Sequence, residues 1–295
     1  MKDKKVLYAD LSLLVVAFIW GSGFVVTKGA LDHMTPLYIL FFRFIVASFF
    51  LTLVSYKRLK KAKWLDVKAG LIVGLLMFIG FVTQTVGLQY TTVGIQAFIT
   101  ASNVVMVPFF YWFLTKRKPS SYEFFGAFLC FVGIGILSLD GNLRMGYGEF
   151  LTLICALSFA LQIVAVGYFA RNVDSYVLST IQLYVASILA FILALTFEPP
   201  IYSISSNMIL PVMYLGIFTT MLAFLTQNIA QKYTSSTHAA IILSLEAVFG
   251  SFLGIVLLNE SITVKFVIGC IAILISVLAS ETKFEFLKKN RVRHI

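Results

Sequence analysis

The sequence predicts an all-α integral membrane protein in which ten transmembrane helices form two inverted-topology five-helix repeats around a central cavity. Three observations predict this fold class. The chain of 295 residues is 60% hydrophobic and only 12% charged, whereas roughly a quarter of the residues of soluble domains are charged. Long apolar runs recur along the chain, which has a mean hydropathy of +0.95. The two halves also share polar residues at one constant offset.

The apolar runs are long enough to cross a bilayer as helices, which takes roughly 20 residues. We predict ten spans, at residues 9–30, 37–56, 67–88, 92–114, 121–139, 147–170, 176–197, 208–231, 236–258 and 262–280. The first run follows a basic start, but it is of spanning length and lacks a cleavage-site pattern. We therefore interpret it as a helix and not as a removable signal.

Basic residues collect in alternate loops and so predict the orientation. One side carries Lys2, Lys4, Lys5, the run YKRLKKAKWLDVK, the KRK at 116–118, Arg171, Lys232 and the C-terminal KKNRVR. The other side keeps almost only Lys28, Arg144 and Lys265. Because basic loops stay inside, both termini are predicted to be cytoplasmic, in the plasma membrane. The net charge of +10 is explained by this orientation, and no nucleic-acid partner is predicted.

An internal repeat gives the architecture. FVTQTVGLQYTT (81–92) aligns without a gap with FLTQNIAQKYTS (224–235), an offset of 143 residues that matches Phe81 with Phe224 and Gln84 with Gln227. The same offset places Asn103 on Glu246. Chance similarity between apolar helices seldom matches polar residues, so we infer a duplicated unit of five spans. Because five is odd, the second copy crosses the membrane in the opposite sense.

The repeats define the predicted domain organisation. The first five-helix repeat covers residues 9–139, a linker rich in turn formers covers 140–146, the second repeat covers 147–280, and a basic cytoplasmic tail covers 281–295. Gly70 and Gly74 form a G-x-x-x-G spacing, as do Gly250 and Gly254, which in apolar helices indicates close helix packing.

Four stretches carry a family resemblance: FIWGSGFVVTKGA in the first span, a proline and then FFRF in the second, GLQYTTVGIQAFITAS across the third and fourth, and SLEAVFGSFLGIVLLNESIT in the ninth and tenth. With them the chain resembles the EamA-type transporters of the drug/metabolite transporter superfamily over nearly its whole length. The resemblance implies ten helices, cytoplasmic termini, a central cavity between the repeats, and export or exchange of small metabolites such as amino acids. The family often has proline after the ninth-span glutamate, whereas Ala247 follows here, so the sequence does not by itself predict a helix break there.

Glu246 is the acidic residue that lies near the middle of a predicted span. A charged side chain there costs roughly 2.5–3.5 kcal/mol even on insertion scales. It is a candidate for binding a substrate amine, or for taking up and releasing a proton. The alternative is a neutral structural carboxyl that hydrogen-bonds a neighbouring helix.

Arg43 and Trp20 are the next candidates for substrate binding. Arg43 would face the cavity and pair with a substrate carboxylate or with Glu246, or its long stem would carry the charge to the headgroups. Trp20 lies about a dozen residues into its span, deeper than the interfacial aromatic belt, so a stacking surface in the cavity is an alternative to an interfacial role. Lys28, at the outer end of the same span, is interpreted as an interfacial anchor.

Amide side chains complete the candidate binding residues. Gln96, Thr100 and Asn103 follow each other at i, i+4 and i+7 on one helix face, and Gln84 and Gln227 are repeat-equivalent, which favours symmetric places near the midplane. These residues line a cavity wall, or they hydrogen-bond helices to each other within the bundle.

Enzyme signatures are absent from the sequence, which has no H-E-x-x-H, nucleophile elbow or Walker A motif. Cys130, Cys155 and Cys270 lack metal-ligand spacing, so no metal or other cofactor is predicted. We predict a secondary transporter of a small polar metabolite, with proton coupling and a monomeric or homodimeric state left open. An integral-membrane enzyme, a lipid-handling protein and a channel are the alternatives, but a channel needs a continuous polar path.

We predict that both termini and the loop at 57–68 are cytoplasmic and that residues 198–207 are external. In a chain without its three native cysteines, a cysteine at position 203 should react with an impermeant thiol reagent added from outside. A cysteine at position 60 should not react, because basic loops stay inside. Labelling at 60 but not at 203 would contradict this orientation.

Overall fold

The computed structural model describes residues 2–116, 118–139, 144–201 and 206–282. The helices are α1 (Lys2–Ala30), α2 (Pro36–Leu59), α3 (Trp64–Gly87), α4 (Val93–Ala101), α5 (Asn103–Thr115), α6 (Ser121–Ser138), α7 (Tyr147–Phe169), α8 (Ser175–Phe197), α9 (Ser206–Tyr214), α10 (Ala223–Ala230), α11 (Ser236–Leu243), α12 (Glu246–Leu258) and α13 (Val264–Thr282). A π-helical segment (Leu215–Leu222), called the π segment below, joins α9 to α10. Residues 140–143 of the predicted linker, 202–205 of the predicted external loop and 283–295 of the predicted tail lie outside the described ranges.

The all-helical membrane fold predicted from the sequence is confirmed. Within the described ranges, nine helical stretches are long and apolar enough to cross a membrane, and a tenth, Val264–Ala279, is apolar but shorter. The first helix begins at Lys2 and not at residue 9. A helix satisfies its own backbone hydrogen bonds, so it continues beyond the apolar run into the headgroup region without a change of structure.

The fourth and ninth spans, predicted as single helices, are each broken in two. α4 ends at Ala101 and α5 begins at Asn103, whereas α11 ends at Leu243 and α12 begins at Glu246. The two breaks are repeat-equivalent, because Asn103 and Glu246 are related by the offset that aligns the two halves. Both broken spans also end in a left-handed residue at equivalent positions, Lys116 and Asn259.

The break before Glu246 corrects the expectation drawn from Ala247, and a serine lies in each of the two breaks. Ser102 and Ser244 each donate the side-chain hydroxyl to the carbonyl three residues earlier, at 2.6 and 2.7 Å. Around both serines the backbone hydrogen bonds also shorten to an i→i+3 pattern, such as that from Leu245 N–H to the Ile242 carbonyl. This tighter turn interrupts an α-helix without a proline.

The two repeats interlock through their third helices. α3 packs against α7 and α8 of the second repeat, and its equivalent, the helix formed by α9, the π segment and α10, packs against α1 and α2. The repeat-equivalent helices α2 and α8 contact each other, and so do α6 and α13. The pseudo-two-fold axis therefore runs between equivalent helices, and the centre of the bundle is lined by both repeats.

Two carboxylates of the second repeat hold helix ends of the first. Glu198, after α8, accepts hydrogen bonds from the N–H groups of Leu37 and Tyr38 at 2.9 and 3.1 Å. Glu260, after α12, accepts from those of Val93 and Gly94 at 2.6 and 2.9 Å. These are otherwise unpaired groups at helix N-termini, so the carboxylates join the repeats at the predicted external end.

A different contact joins the repeats at the predicted cytoplasmic end. Asp66 accepts from the backbone N–H of Asp174 at 2.9 Å, and the Asp174 carboxylate pairs with Arg58 at 2.9 Å. Partial burial raises the pKa of Asp174, but the hydrogen bonds from Arg58 and from the N–H of Tyr176 outweigh it and hold the pKa below its usual value. The contribution of this carboxylate to stability is therefore complete at neutral pH and is lost as the pH falls through the lowered pKa.

The outer surface of the bundle is apolar. Large side chains such as Leu210, Val264 and Phe131 are 78%, 77% and 76% exposed. In water an apolar surface of this extent causes association, whereas the hydrocarbon core of a bilayer covers it without cost. The surface thus agrees with the spans that the helix lengths predict.

Substitution of Gly74 should weaken the packing of α3 on α8. A Cβ atom there would lie 2.8 Å from both the Cα and the carbonyl oxygen of Gln182, and backbone atoms cannot rotate away. Gly74→Ala should therefore cost about 1–3 kcal/mol, as overpacking does, and lower the Tm measured in detergent.

Gly29→Ala is the matched control, since a Cβ at Gly29 has no neighbour within 4 Å among the described atoms. Its Tm should equal or slightly exceed that of the wild type, because alanine is the better helix former. Equal Tm values for the two variants would mean that α3 and α8 are not in close contact.

Candidate substrate cavity

A cavity lies at the centre of the bundle, where both repeats meet. It has about 50 Å³ of room for the centres of water-sized molecules, and its walls come from α1–α3, α5, α7, the π segment and α10–α12. Six of the predicted binding residues line it: Trp20, Arg43, Gln84, Asn103, Gln227 and Glu246. A cavity that holds even one water needs roughly 10–15 Å³ by this measure, so there is room here for a few small polar groups.

Repeat-equivalent residues face each other across the cavity. Phe81 and Phe224 have ring centroids 5.7 Å apart, and both line the cavity together with the equivalent amides Gln84 and Gln227. Residues related by the repeat can touch only beside the pseudo-two-fold axis. The cavity therefore lies on that axis.

Arg43 is buried in the wall of the cavity and is 3% exposed. Its Nε donates to Thr220 Oγ1 at 3.0 Å and its Nη2 to Thr219 Oγ1 at 2.9 Å. The guanidinium carbon lies 4.3 Å from the centroid of the Phe81 ring. In the described part of the chain no carboxylate pairs with it. The side chain is thus held by two hydroxyls and a ring face, and its charge is left for another partner.

The π segment supplies both hydroxyls. Thr219 and Thr220 are adjacent in sequence, and each also donates its hydroxyl to the Leu215 carbonyl, at 2.8 and 2.7 Å. The wider turn of a π-helix brings two successive side chains to one partner. The backbone carbonyl of Thr219 in turn accepts from the indole N–H of Trp20 at 2.9 Å, so one irregular turn positions both Arg43 and Trp20.

Aromatic rings form the apolar part of the cavity wall. The ring of Trp20 lies 5.1 Å from that of Phe224, and Phe81 lies 5.3 Å from Phe159, measured between centroids. All four rings line the cavity. With Arg43 above Phe81, this wall combines ring faces with a cation, an arrangement that suits small molecules with an apolar body and a charged end.

Glu246 and Asn103 begin the second halves of the two broken spans. Glu246 is 6% exposed and Asn103 7% exposed, and both line the cavity. Helix N-termini carry partial positive charge, so α5 and α12 direct two such ends at the same space. Across the described ranges, the carboxylate of Glu246 has no ion-pair partner.

Gln96 lies outside the cavity wall. Its Nε2 donates to the Gln84 carbonyl at 2.5 Å and weakly to Thr152 Oγ1 at 3.4 Å. Gln96 thus joins α4 to α3 and α7. This contact favours a role in helix packing over a place in the cavity wall. Thr100, on the same face, lies 3.9 Å from the sulfur of Cys155, and of this stripe Asn103 is the member that lines the cavity.

Several cavity residues were not identified from the sequence. Phe81 and Phe224 were visible as a repeat-related pair, because the offset that matches Gln84 with Gln227 also matches them. Thr219 and Gln162 had no such signal, since their repeat equivalents are apolar. Thr219 reaches Arg43 only because the helix widens at the π segment.

Comparisons with known proteins agree along the chain. The EamA-like transporter family matches residues 7–139 and 146–281. An uncharacterized transporter of Archaeoglobus fulgidus is 36% identical over 274 residues, which cover 93% of this chain and 86% of that protein. The uncharacterized transporter YvbV of Bacillus subtilis is 24% identical over 92% of this chain and 91% of that protein. A WAT1-related chloroplastic protein of Arabidopsis thaliana is 23% identical over 88% of this chain and 66% of that protein.

A solved crystal structure of a protein has a similar fold. It matches with a TM-score of 0.70 over 93% of this chain and 98% of that chain. The sequence identity is 18%, so this likeness concerns the arrangement of helices alone.

Arg43→Met should separate stability from binding at this cavity. Methionine fills a similar volume without a buried charge, and replacement of buried ions by apolar residues is often neutral or stabilising. Thr219 and Thr220 keep their bonds to the Leu215 carbonyl. The Tm in detergent should therefore equal or exceed that of the wild type, while binding and transport of substrate should be lost.

Lys68→Met removes an exposed cation from α3 and should change neither property. A Tm of Arg43→Met well below that of the wild type would show that the guanidinium is a structural group.

Proposed function

This chain belongs to the EamA-like transporter family, and on that premise we propose that it is a secondary active transporter. It exports or exchanges small polar metabolites, such as amino acids or related compounds, by alternating access. The observation that carries the proposal is a cavity on the axis between the repeats, lined by one cationic and one acidic side chain that are not paired with each other. Family membership supports membrane transport, and the substrate class and the mechanism are our proposals.

The charges in the cavity favour a zwitterion as the substrate. Arg43 presents a guanidinium that is already oriented by two threonine hydroxyls, which suits a carboxylate. Glu246 provides a carboxylate for an amine. The rings of Trp20, Phe81 and Phe224 would cover the apolar part of the ligand. A molecule with both charged groups would compensate both costs of burial at once.

The contacts at the two ends of the bundle support alternating access. Glu198 and Glu260 join the repeats at one end, and Asp66 with Arg58 and Asp174 joins them at the other. Each set consists of a few hydrogen bonds and ion pairs between repeats, which can open at one end while the other stays closed. The inverted repeats provide two related arrangements of the same helices.

An enzyme and a channel fit the cavity less well. Catalysis would need clustered nucleophiles, histidines or metal ligands, whereas the polar part of the cavity wall holds one carboxylate, one guanidinium, amides and threonine hydroxyls, without a histidine among the described residues beside them. A channel needs a continuous polar path, and here the aromatic wall lies on the axis itself. We further propose that the chain resides in the plasma membrane with both termini in the cytoplasm, as the basic loops indicate, and that the repeats extend over 9–139 and 147–280.

The substrate is identified by the growth of cells that overproduce the chain. Panels of toxic amino acids and their analogues are added to the medium, and resistance relative to Arg43→Met cells indicates export. The compound found in this way is then used in vesicles that contain the purified protein.

Glu246→Gln tests whether this residue couples transport to protons. Glutamine keeps the size and hydrogen-bonding capacity of the side chain but does not titrate. The variant should fold and be expressed as the wild type is, yet lose substrate accumulation driven by a proton gradient in vesicles. Counterflow of preloaded substrate needs no net proton movement and should survive. Glu246→Leu should lose both activities if the carboxylate contacts the substrate.

Glu123→Gln is the matched control. Glu123 lies in the first turn of α6, where it forms a capping box with Ser120, and glutamine serves equally well in that motif. Its transport should be unchanged. If Glu246→Gln accumulates substrate at the wild-type rate over a range of pH, Glu246 is a structural carboxyl and not a proton carrier.

A further inference from the structure

A group of buried amides on α10 lies next to the cavity and has unmet hydrogen-bonding capacity. Gln227 and Asn228 are completely buried and Gln231 is 2% exposed. Within the described ranges, Gln227 Oε1, Asn228 Oδ1 and both amide atoms of Gln231 have no hydrogen-bond partner. A buried polar atom without a partner is destabilising, so this stretch of α10 is unfavourable as a packed interface.

The facing side of α8 is also polar. Ser175, Ser179 and Gln182 are spaced i, i+4 and i+7 and therefore share one face. Ser179 Oγ accepts from Asn228 Nδ2 at 2.8 Å, and Ser175 Oγ donates to the Asn228 carbonyl at 3.1 Å. Gln182 is fully buried, and among the described residues neither of its amide atoms is paired. The six side chains on α8 and α10 are called the polar column below: Ser175, Ser179, Gln182, Gln227, Asn228 and Gln231.

The polar column runs from the cavity to the predicted cytoplasmic end of the bundle. Gln227 lines the cavity and donates to Gln162 Oε1 at 3.5 Å. Gln231 is the C-cap residue of α10. At about 1.5 Å per residue it lies only about 6 Å beyond Gln227 along the helix axis. Beyond it, Lys232 donates to the Val173 carbonyl at 3.2 Å. One turn of polar helix thus separates the cavity from the loops.

The other repeat is less polar at the depth of Gln231. At the offset that aligns Gln227 with Gln84, Gln231 corresponds to Leu88. Where the N-caps of α2 and α8, Thr35 and Asp174, are aligned, Ser179 and Gln182 correspond to Leu40 and Arg43. Leu88 is 1% exposed, and Lys28 donates to its carbonyl at 2.6 Å. At this depth the predicted external half therefore has an apolar side chain, whereas the cytoplasmic half has an amide.

We propose that the polar column is the route by which substrate and water pass between the cavity and the cytoplasm when α10 separates from α8. The unmatched amides would find water or substrate as partners in that open state, which lowers the cost of opening this end. The inference rests on the proposed transport function, but its first test, by cysteine labelling, needs no substrate.

The test uses single cysteines in a chain whose three native cysteines are replaced and whose Tm is unchanged. Gln231→Cys and Asn228→Cys are exposed in vesicles of known orientation to a cationic, membrane-impermeant methanethiosulfonate. Ala190→Cys, at a buried apolar position of α8, is the dry control, and Met34→Cys, at a buried position before α2 near the predicted external end, is the control for the other end. Only a hydrated thiol forms the reactive thiolate, so both column cysteines should react roughly tenfold faster than Ala190→Cys from the cytoplasmic face, whereas Met34→Cys should not react from that face.

A second measurement separates a route from mere packing. Gln231→Leu gives the column the residue that the other repeat has at this depth, and should slow transport by about tenfold, or about 1.4 kcal/mol in the barrier, with an unchanged KM. Gln89→Leu makes the same change at an exposed glutamine and should have no effect. A purely structural glutamine without partners would instead leave transport unchanged when replaced by leucine, and would raise the Tm.

The outcomes distinguish the route from the function. If the column cysteines react but the chain moves no substrate, the route is supported and the proposed function is contradicted. If the column cysteines do not react but the chain does transport substrate, the route is contradicted and the proposed function is not. A wild-type transport rate for Gln231→Leu would also overturn the route.

Discussion

The hydrocarbon core of a bilayer contains no water, so every polar group at that depth must find its partner inside the protein. This constraint explains where the polar side chains of the chain lie. Gln96 donates its amide N–H groups to α3 and α7, while Arg43 receives only two threonine hydroxyls and a ring face. The surface that meets lipid is left to residues such as Leu210 and Phe131. Arg43, Gln162 and Gln227, whose hydrogen-bonding capacity is not fully used, line the cavity, where a ligand can complete it.

The duplication explains both the symmetry of the cavity and the differences between its two ends. Beside the axis the repeats share some residues, as where Phe81 meets Phe224 directly. Away from direct contact the copies differ, as in Asn103 and Glu246, or in Leu88 and Gln231. An identical pair cannot distinguish one side of the membrane from the other, so a direction of transport has to come from the positions at which the two repeats have diverged.

The sequence predicted the architecture better than the geometry of the site. Span lengths and the constant offset indicated the all-α fold, and the EamA resemblance is confirmed by the family match over both repeats. Trp20, Arg43, Glu246 and the paired glutamines were recognised because a polar or bulky residue in an apolar run needs an explanation. Thr219, Thr220 and Gln162 were missed, since a threonine in a membrane helix is unremarkable until a π-helical turn places it against a guanidinium. Hydrophobic periodicity has no signal for a local change of helix type.

The irregular turns therefore carry the chemistry of this fold. In the π segment the Thr219 carbonyl accepts from Trp20 and two threonine hydroxyls reach Arg43. The breaks at Ser102 and Ser244 direct the N-termini of α5 and α12 into the cavity. Non-helical backbone is tolerated at membrane depth only where protein or a cavity surrounds it, and each irregular turn here meets that condition. A turn that has already given up regular hydrogen bonds loses few more when its helix bends. The elements that position the candidate binding residues are consequently also those at which the helices can bend at the lowest cost.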